Sequence, residues 1–484
     1  MSSRPEARLD EQAARLTAAQ RASQGKAARR TVSRAAHAVF APQPGRPDPV
    51  AQLEQQAASR VPELLPIRYG RMLASPLAYF RGAALPMASD LSGTPVTGLI
   101  TQLCGDAHLS NFGIYASPER RLVFDINDFD ETLPGPWEWD VKRLTASLEI
   151  AGRAGGFSAG ERRRIVTETA GHYRLAMRRL AGIGDLAVWY SSGDLDELTA
   201  RYRAVLSPRE RELAETDLGT GARRGSARAL AQGDDDMGAL ARLVVWRDGT
   251  ARLASEPPLL VPVGELPAAE YGGAAARLHR LIAGYQATLE PHWRYLMSQF
   301  TVTGLARKVS GVGSVGMRCW IALLTGRDSR DLLFLQLKQA QPSVLSQFAG
   351  ASRYLCQGER VVAGQRLMQA SSDIFLGWHR AGTADYYVRQ LRDWKFSVPT
   401  DAMLPATMRA YGALCGRTLA RAHARSGDRI AIAAYLGSST AFDIALGEFA
   451  AAYADQNDHD YAGFQAAVRS GPLPAAPVPA GSAG

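Results

Sequence analysis

The chain has 484 residues, a length that predicts two or three packed units. Hydrophobic residues make up 46% and charged residues 21%, the balance of an ordinary globular protein. The net charge of +9 favours anionic ligands such as nucleotides and phosphorylated metabolites. Because an Arg- and Ala-rich composition is also common to whole proteomes, we expect no specific nucleic-acid partner.

Cysteine spacing and hydropathy argue against disulfide-rich, zinc-ribbon and membrane-spanning proteins. The four cysteines are far apart and form no C-x-x-C pair, which argues against a disulfide scaffold or a zinc ribbon and fits a reducing compartment. No stretch approaches the length of a membrane-spanning helix, and Met1–Gln20 has no apolar signal region. We therefore expect a soluble, cytoplasmic protein without a membrane partner.

Taken from the N-terminus, the pattern of apolar and turn residues divides the chain into five segments. Helices are predicted at 404–424 and at about 441–468, because small or apolar residues recur there every three or four positions. The segments are a flexible or helical arm that ends in a Pro-rich linker (1–48), a mixed region that is mainly helical from 158 and has a polar break at 218–238 (49–300), a strand-rich region (301–400), C-terminal helices (401–470) and a disordered tail (471–484).

The first candidate site lies between residues 104 and 131. Asp106 and Asn111 occupy a short loop, which is followed by two predicted strands, Phe112–Ala116 and Leu122–Ile126. The hairpin returns three carboxylates to this loop: Asp125, Asp128 and Asp130. Phosphoryl transfer needs one carboxylate to take the proton of the acceptor, while an Asn and a second carboxylate hold magnesium. The alternative is an Asx-turn loop beside a surface hairpin.

Asp140 and His423 fall at the ends of predicted helices. Asp140 lies near the start of a helix just after the hairpin. We expect it to cap that helix and to hydrogen-bond the backbone of the loop, as a structural support and not as a reactant. His423 lies at the end of the helix predicted at 404–424, where the helix dipole favours a histidine.

A glycine motif, Gly311-x-Gly313-x-x-Gly316, begins the second candidate site. In a dinucleotide site such glycines join a strand to a helix, with an acidic residue about twenty positions later. In the phosphate loop of kinases they lie between two strands, and a lysine follows on a third. The residues after the motif read as strand, turn and strand, with predicted strands at Trp320–Leu324 and Leu332–Leu337, which favours the phosphate loop.

Lys338 ends the second of these strands and is expected to contact nucleotide phosphates. Such a lysine needs a carboxylate to position it, and Glu359 in the predicted helix Glu359–Ala370 is the natural candidate. The alternatives are a solvated strand end for Lys338 and a surface helix residue for Glu359. A further predicted strand, Tyr386–Gln390, then leads to the segment where an adenine is expected to lie.

Together these segments resemble the protein-kinase-like superfamily. Gly105–Asn111 is similar to the Gly-Asp-x-His-x-x-Asn loop of its aminoglycoside and choline phosphotransferase branch, except that Cys104 stands where that branch usually has His. Over almost its whole length the chain also resembles a bacterial family catalogued as domain of unknown function 2252. The segments that carry this second resemblance are 104–113, 125–132, 311–316, 364–369, 420–428 and 453–456.

The kinase-like resemblance implies an ATP- and Mg²⁺-dependent phosphotransferase that acts on a hydroxyl of a small molecule. Asp106 would be its catalytic base. The other implied roles are Asn111 and Asp128 as magnesium ligands, with Asp125 competing for the second place; Gly311, Gly313 and Gly316 over the phosphates; and Lys338 with Glu359 as the nucleotide ion pair.

The resemblance also implies an α+β, two-lobed kinase-like fold, with a strand-rich nucleotide lobe at 301–400 and a larger helical lobe. Kinase-like chains place the glycine loop before the catalytic loop, whereas here it follows, so the fold is expected to be circularly permuted. The helix at 404–424 then corresponds to the one that normally leads into the catalytic loop. Two other functions stay open: a nucleotide-binding regulator without turnover, and a nucleotidyl transferase on the same fold.

Overall fold

Helices and strands are both abundant, and the predicted α+β class is confirmed. The polar break predicted at 218–238 lies outside the residues that the structure describes. So does most of the segment predicted to follow the strand Tyr386–Gln390. The structure, a computed structural model, describes residues 16–193, 241–309, 311–391, 403–471 and 473–476.

Helices of the described residues fall into an N-terminal, a middle and a C-terminal group. None of them is by itself long and apolar enough to cross a membrane, although the last two, bent by 87° to each other, pass that test as a pair. In chain order they are α1 (Ala18–Thr31), α2 (Pro49–Ala57), α3 (Leu65–Met72), α4 (Pro76–Gly82), α5 (Ala84–Ser92), α6 (Trp137–Ala154), α7 (Ala159–Ala181), α8 (Asp185–Tyr190), α9 (Ala268–Tyr271), α10 (Ala274–Tyr285), α11 (Pro291–Met297), α12 (Ser346–Ala349), α13 (Gln357–Met368), α14 (Pro405–Ser426), α15 (Arg429–Leu436) and α16 (Ala441–Arg469).

Strands of the described residues form one large sheet and three two-stranded ones. The two strands predicted around the first candidate site are confirmed with their predicted bounds, as β2 and β3. In chain order the strands are β1 (Ile100–Leu103), β2 (Phe112–Ala116), β3 (Leu122–Ile126), β4 (Leu133–Pro136), β5 (Val244–Arg247), β6 (Thr250–Leu253), β7 (Leu260–Pro262), β8 (Thr301–Lys308), β9 (Cys319–Thr325), β10 (Leu332–Ala340), β11 (Gly377–Ala381) and β12 (Ala384–Gln390).

The large sheet is antiparallel and has the order β11-β12-β10-β9-β8-β7. The predicted strands of the second candidate site are confirmed in it as β9, β10 and β12. Side chains of β9 alternate between two cores: Trp320 and Leu324 face α10 and α11, whereas Ile321 and Leu323 face the β5–β6 hairpin. β10 is buried because it lies between β12 and β9 in a sheet that is covered on both faces. Its register with β12 places Lys338 opposite Tyr387.

The largest core lies among α6, α7, α14 and α16. α14 and α16 confirm the helices predicted at 404–424 and at about 441–468. α14 packs closely against α7 because it carries small residues there: a Cβ on Gly416 would lie 2.5 Å from the backbone oxygen of Thr169. α6 is buried around almost its whole circumference, so its polar side chains must find partners inside the protein.

Arg360 on α13 joins the large sheet to the turn that follows the β2–β3 hairpin. Its guanidinium, 2% exposed, donates to the backbone oxygens of Asp130 at 2.8 Å, Thr132 at 2.6 Å and Gln341 at 2.8 Å. With the bond from its Nε to Oε1 of Gln357 at 2.8 Å, four of the five N–H donors of the guanidinium are used. The carboxylate-bearing turn is therefore held at a fixed place beside the end of β10.

One region contains strands that the sequence analysis missed. Residues 158–300, interpreted as mainly helical, also contain β5, β6 and β7. Asp248 and Gly249 join β5 to β6 with positive φ angles of 50° and 70°. An Asp-Gly pair between two short runs of strand-forming residues is a signal of a hairpin turn, because both residues tolerate the left-handed conformation. That local signal outweighs the helical pattern of the surrounding segments.

The two ends of the described chain are docked on the helices. In the segment predicted as a flexible or helical arm, α1 is helical, and Arg46 of the linker pairs with Asp90 and Asp460, each at 2.6 Å. In the segment predicted as a disordered tail, Leu473 is 3% exposed and Ala476 donates its N–H to the oxygen of Pro66 at 2.8 Å. Within this segment Leu473 and Ala475 pack against the apolar cluster that also contains Leu65 of α3.

Candidate functional site

A cleft of about 500 Å³ lies between the loop that precedes β2, the turn that follows β3 and the loop that joins β8 to β9. Its wall also includes residues of the N-terminal helices and of the segment after β10. Six residues singled out from the sequence line it: Asp106, Asn111, Asp128, Asp130, Gly311 and Gly313. The two candidate sites, far apart in the chain, are therefore one site in space.

Asp106 lies at the floor of the cleft with its side chain 20% exposed. Nε of Arg143 donates to its Oδ1, and Nε2 of His108 lies 3.6 Å from its Oδ2. Burial raises the pKa of the Asp106 carboxyl above its ordinary value, while the nearby Arg143 guanidinium acts in the opposite direction. The result is a carboxylate that is fixed in direction and more basic than a solvated one.

The loop around Asp106 is sharply bent. Gly105 has a φ of +86°, and a Cβ there would lie 2.3 Å from the backbone oxygen of Glu131, so only glycine fits. Nδ2 of Asn111 donates to the backbone oxygen of Asp106 at 2.7 Å. This bond leaves the side-chain oxygen of Asn111, a residue that lines the cleft, as the available ligand atom.

Asp140 supports this loop from behind, as predicted, but the prediction that it caps α6 is wrong, because the N-cap is Pro136 and no side chain caps the helix. Its Oδ2 accepts the N–H of Cys104 at 2.8 Å and its Oδ1 accepts the N–H of Gly105 at 3.0 Å. The Nε2 of His423 lies 3.2 Å from Oδ2, and the hydroxyl of Tyr173 lies 2.8 Å from the Nδ1 of His423. The end of α14 is thereby tied to the loop through a fully buried polar chain.

Asp125 lies outside the cleft. Its side chain is 1% exposed, pairs with Nη2 of Arg421 at 2.7 Å and accepts the N–H of Ala370 at 3.0 Å. The interpretation of Asp125 as a competing metal ligand is therefore corrected, because both of its oxygens face structural partners. Asp128, three residues later, has a side chain that is 35% exposed and lines the cleft.

Lys338 meets the carboxylates of the first site. Its Nζ is 3.8 Å from Oδ2 of Asp128 and is hydrogen-bonded to Oδ2 of Asp130, whose Oδ1 accepts from the hydroxyl of Tyr387 at 2.8 Å. Burial lowers the pKa of Lys338, but the two carboxylates outweigh it, so the pKa lies well above its ordinary value. The amine is therefore charged although its side chain is only 5% exposed.

Glu359 is not a partner of Lys338 among the described residues. It lies on the first turn of α13 and is partly exposed, whereas the next residue, Arg360, faces the interior. The predicted ion pair is corrected: Asp130 takes the place that Glu359 was given. The sequence signal for this was the second carboxylate of Asp128-Phe-Asp130, which the sequence analysis left without a role.

The glycine loop lies between two strands, β8 and β9, and the lysine strand β10 comes next. A strand therefore follows the glycines, as the phosphate-loop interpretation expects, and not the helix that a dinucleotide site requires. Gly311 and Gly316 have φ angles of +69° and +88°, where a side chain would be strained. Gly313 approaches the backbone, since a Cβ there would lie 3.3 Å from the oxygen of Arg81.

A magnesium ion would find oxygen ligands in the cleft but no dedicated cage. Within the described residues no three His, Cys, Asp or Glu side chains are grouped to hold a metal. Magnesium needs fewer, since it keeps several waters and shares phosphate oxygens of its substrate. Asn111 and Asp128 line the same cleft and offer one amide and one carboxylate group, which fits that mode of binding.

The comparisons with known proteins concern the family. Residues 60–467 match the model of a family described as an uncharacterized protein conserved in bacteria, DUF2252. The chain belongs to this family. No curated protein and no solved structure matches it. The Asp106 loop, the glycine loop and Lys338 all lie inside the matched range, whereas Gln55, Gln56 and Ser59 of the cleft wall precede it.

Arg143, which contacts Asp106 but does not itself line the cleft, was not predicted from the sequence. It is 3% exposed on α6, donates to the backbone oxygen of Phe80 at 3.2 Å and stacks over the ring of Phe80 at 4.4 Å, besides holding Asp106. A guanidinium held at two other points directs the carboxylate of Asp106. The sequence signal for Arg143 was its position three residues after Asp140. Residues i and i+3 share a helix face, so both side chains are expected to point to the same loop.

Proposed function

We propose that this protein is an ATP- and magnesium-dependent phosphotransferase that acts on a hydroxyl of a small molecule. The observation that carries the proposal is that Nζ of Lys338 lies 3.8 Å from Asp128, which lines the same cleft as Asp106, Asn111 and the glycine loop. A lysine, two metal ligands, a base and a loop of backbone amides are the parts that phosphoryl transfer uses.

The order of elements in the large sheet supports a kinase-like nucleotide lobe. A strand, the glycine loop, a second strand and a third strand with the lysine follow one another, and α13 comes before the last two strands. Kinases have the same sequence of glycine loop, lysine on the third strand and following helix. The difference is that the carboxylate for the lysine comes from Asp130 and not from the helix.

Contacts of α14 support the circular permutation. Thr101 of β1 donates its hydroxyl to the backbone oxygen of His423 at 3.3 Å and lies 2.8 Å from the hydroxyl of Ser426. The C-terminal end of α14 thus lies beside the strand that leads into the Asp106 loop. In space the helix precedes the loop, as it does along the chain of a kinase, although in this chain it follows.

Each cleft residue has a chemical role in the proposal. Asp106 orients the acceptor hydroxyl and takes its proton, and Arg143 keeps the carboxylate in that direction. Asn111 and Asp128 would hold magnesium, which would neutralise charge on the phosphates. Lys338, with Asp130 as its partner, would donate to a phosphate oxygen. The cleft of about 500 Å³ lies in the range of small-molecule sites.

The test is label transfer from ATP. The full-length protein is incubated with magnesium and a pool of hydroxyl-bearing metabolites and antibiotics, in parallel with ATP labelled at the γ or at the α phosphorus. Transfer of the γ label alone, abolished by EDTA, is expected. Transfer of the α label would identify the nucleotidyl transferase instead. ATP binding without transfer of either label would indicate the nucleotide-binding regulator, and no ATP binding at all would contradict the nucleotide site.

Two variants test whether Asp130, the observed partner of Lys338, or Glu359, the predicted partner, matters for nucleotide binding. We expect Asp130→Asn to weaken magnesium-dependent ATP binding by about tenfold, or about 1.4 kcal/mol, because Lys338 loses the carboxylate that positions its amine. Glu359→Gln removes one charge from the same lobe and should leave the dissociation constant within about twofold. Isothermal titration calorimetry measures both. The reverse ranking would show that Glu359 replaces Asp130 when nucleotide binds.

A further inference from the structure

Three arginines before the catalytic loop contact alternate residues of the glycine loop. Nη1 of Arg71 donates to the oxygen of Gly311 at 2.5 Å and Nη1 of Arg68 to that of Gly313 at 2.7 Å. Nη1 of Arg60 donates to the oxygen of Val315 at 2.5 Å. These side chains come from α3 and from the residues just before it, a part of the chain to which the phosphotransferase proposal gives no role.

These arginines form no ion pair with a carboxylate among the described residues, although Glu131 acts electrostatically on Arg60 and Arg68. Arg68 and Arg71 are 1% and 6% exposed, and the Nε of each of the three guanidinium groups is buried without a hydrogen-bond partner. Within the described part of the chain, carbonyl oxygens are their hydrogen-bond acceptors and no carboxylate pairs with them. Buried cations without a carboxylate partner are costly in a protein unless an anion is bound nearby.

The contacts also decide which groups the loop presents. Carbonyl oxygens repel phosphate oxygens, whereas backbone N–H groups bind them. The three arginines engage carbonyls of the loop, and within the described residues the N–H of Gly313 donates to no protein acceptor. A hydrogen bond from a guanidinium to a carbonyl also polarises the peptide groups joined to it. The carbonyl oxygens of the loop, which would repel phosphate, are therefore hydrogen-bonded to the arginines. The N–H of Gly313, a residue that lines the cleft, can donate to a phosphate oxygen.

We propose that Arg60, Arg68 and Arg71 form an arginine clasp that fixes the glycine loop for a polyphosphate and supplies the positive charge that attracts it. The part that concerns ATP rests on the function proposed above, whereas the fixing of the loop does not. Arg60 lines the cleft as well, so it adds direct charge beside the phosphates. The clasp residues are positioning residues: they act through the loop and through their field.

Hydrogen exchange of the full-length protein, followed by mass spectrometry, tests the fixing of the loop. The variants are Arg71→Gln and Arg60→Gln, with Arg71→Lys to restore one donor and Arg164→Gln, a surface arginine 65% exposed, as the matched control. We expect residues 311–317 to exchange about tenfold faster in both glutamine variants, because each loses a charge-assisted hydrogen bond. Arg71→Lys should restore part of the protection, and the control should match the wild type.

Titration with ATP and with adenosine tests the charge. Both glutamine variants should bind ATP about tenfold more weakly and adenosine unchanged, because adenosine has no phosphates. Loop exchange and ATP affinity that stay at wild-type values in both variants would overturn the clasp. An equal loss for adenosine would overturn it too, since the effect would then not lie at the phosphates. If the wild type binds no ATP, the proposed function fails, and the exchange rates still decide whether the arginines fix the loop.

Discussion

Asp106→Asn is expected to lower the rate of phosphoryl transfer by about 10²–10⁴-fold, the usual contribution of a positioned general base. The asparagine keeps an oxygen that can accept from Arg143, so the buried guanidinium retains a partner and the loop keeps its shape. ATP affinity should change little, because in the proposed function Asp106 acts on the acceptor and not on the nucleotide. Single-turnover transfer of the γ label and ATP titration measure the two effects separately.

The pH profile adds a second readout to this variant. A general base works in its deprotonated form, and burial places the pKa of Asp106 above its ordinary value. The wild-type rate should therefore fall as the pH drops through that raised pKa, whereas the residual rate of Asp106→Asn should lack this limb. Asp458→Asn, at a surface position 45% exposed, is the control for loss of a carboxylate. A full rate in Asp106→Asn would remove Asp106 from the chemistry.

Asp140→Ala is expected to lower the free energy of unfolding by about 3–5 kcal/mol. It leaves the N–H groups of Cys104 and Gly105 buried without an acceptor, at about 1–3 kcal/mol each, and it also removes the partner of His423. Asp140→Asn keeps one oxygen acceptor and should fall between the wild type and the alanine variant. Urea denaturation followed by tryptophan fluorescence measures all three.

Asp185→Ala is the control for Asp140→Ala, because it also removes an aspartate from the first turn of a helix, but at the surface. Asp185 begins α8, is 83% exposed and pairs with Arg429, which also donates to two backbone oxygens. Asp185→Ala should cost no more than about 1 kcal/mol, because an exposed pair is screened by water and Arg429 keeps other partners. Equal losses at Asp140 and Asp185 would contradict the role given to the buried polar chain behind the loop.

Local elements of the candidate site followed from the sequence because their signals are local. The bounds of β2 and β3 matched the prediction, since a turn between two alternating runs fixes a hairpin without help from the rest of the chain. The order of glycine loop and lysine strand came from the same kind of pattern. The hairpin of β5 and β6 was missed although its Asp-Gly turn is equally local.

Pairings across the fold did not follow from the sequence. Lys338 and Asp130 are 208 residues apart, and the choice between Asp130 and Glu359 depends on which face of α13 turns inward. Asp125 and Asp128 differ by three residues, yet one faces Arg421 on α14 and the other faces the cleft. The sequence spacing predicted that these carboxylates lie near one another. The direction of each side chain depends on the packing of helices that are distant in the chain.

The tie between Asp140 and His423 has a consequence for synthesis of the chain. The two residues are 283 positions apart. At a synthesis rate of about 5–20 residues per second, His423 is therefore added about 15–60 s after Asp140. During that time the N-terminal half, with Asp106 and its neighbours, lacks α14 and exposes apolar surface that α14 later covers. Chaperone binding to ribosome-bound chains should therefore continue until residues beyond 423 have emerged.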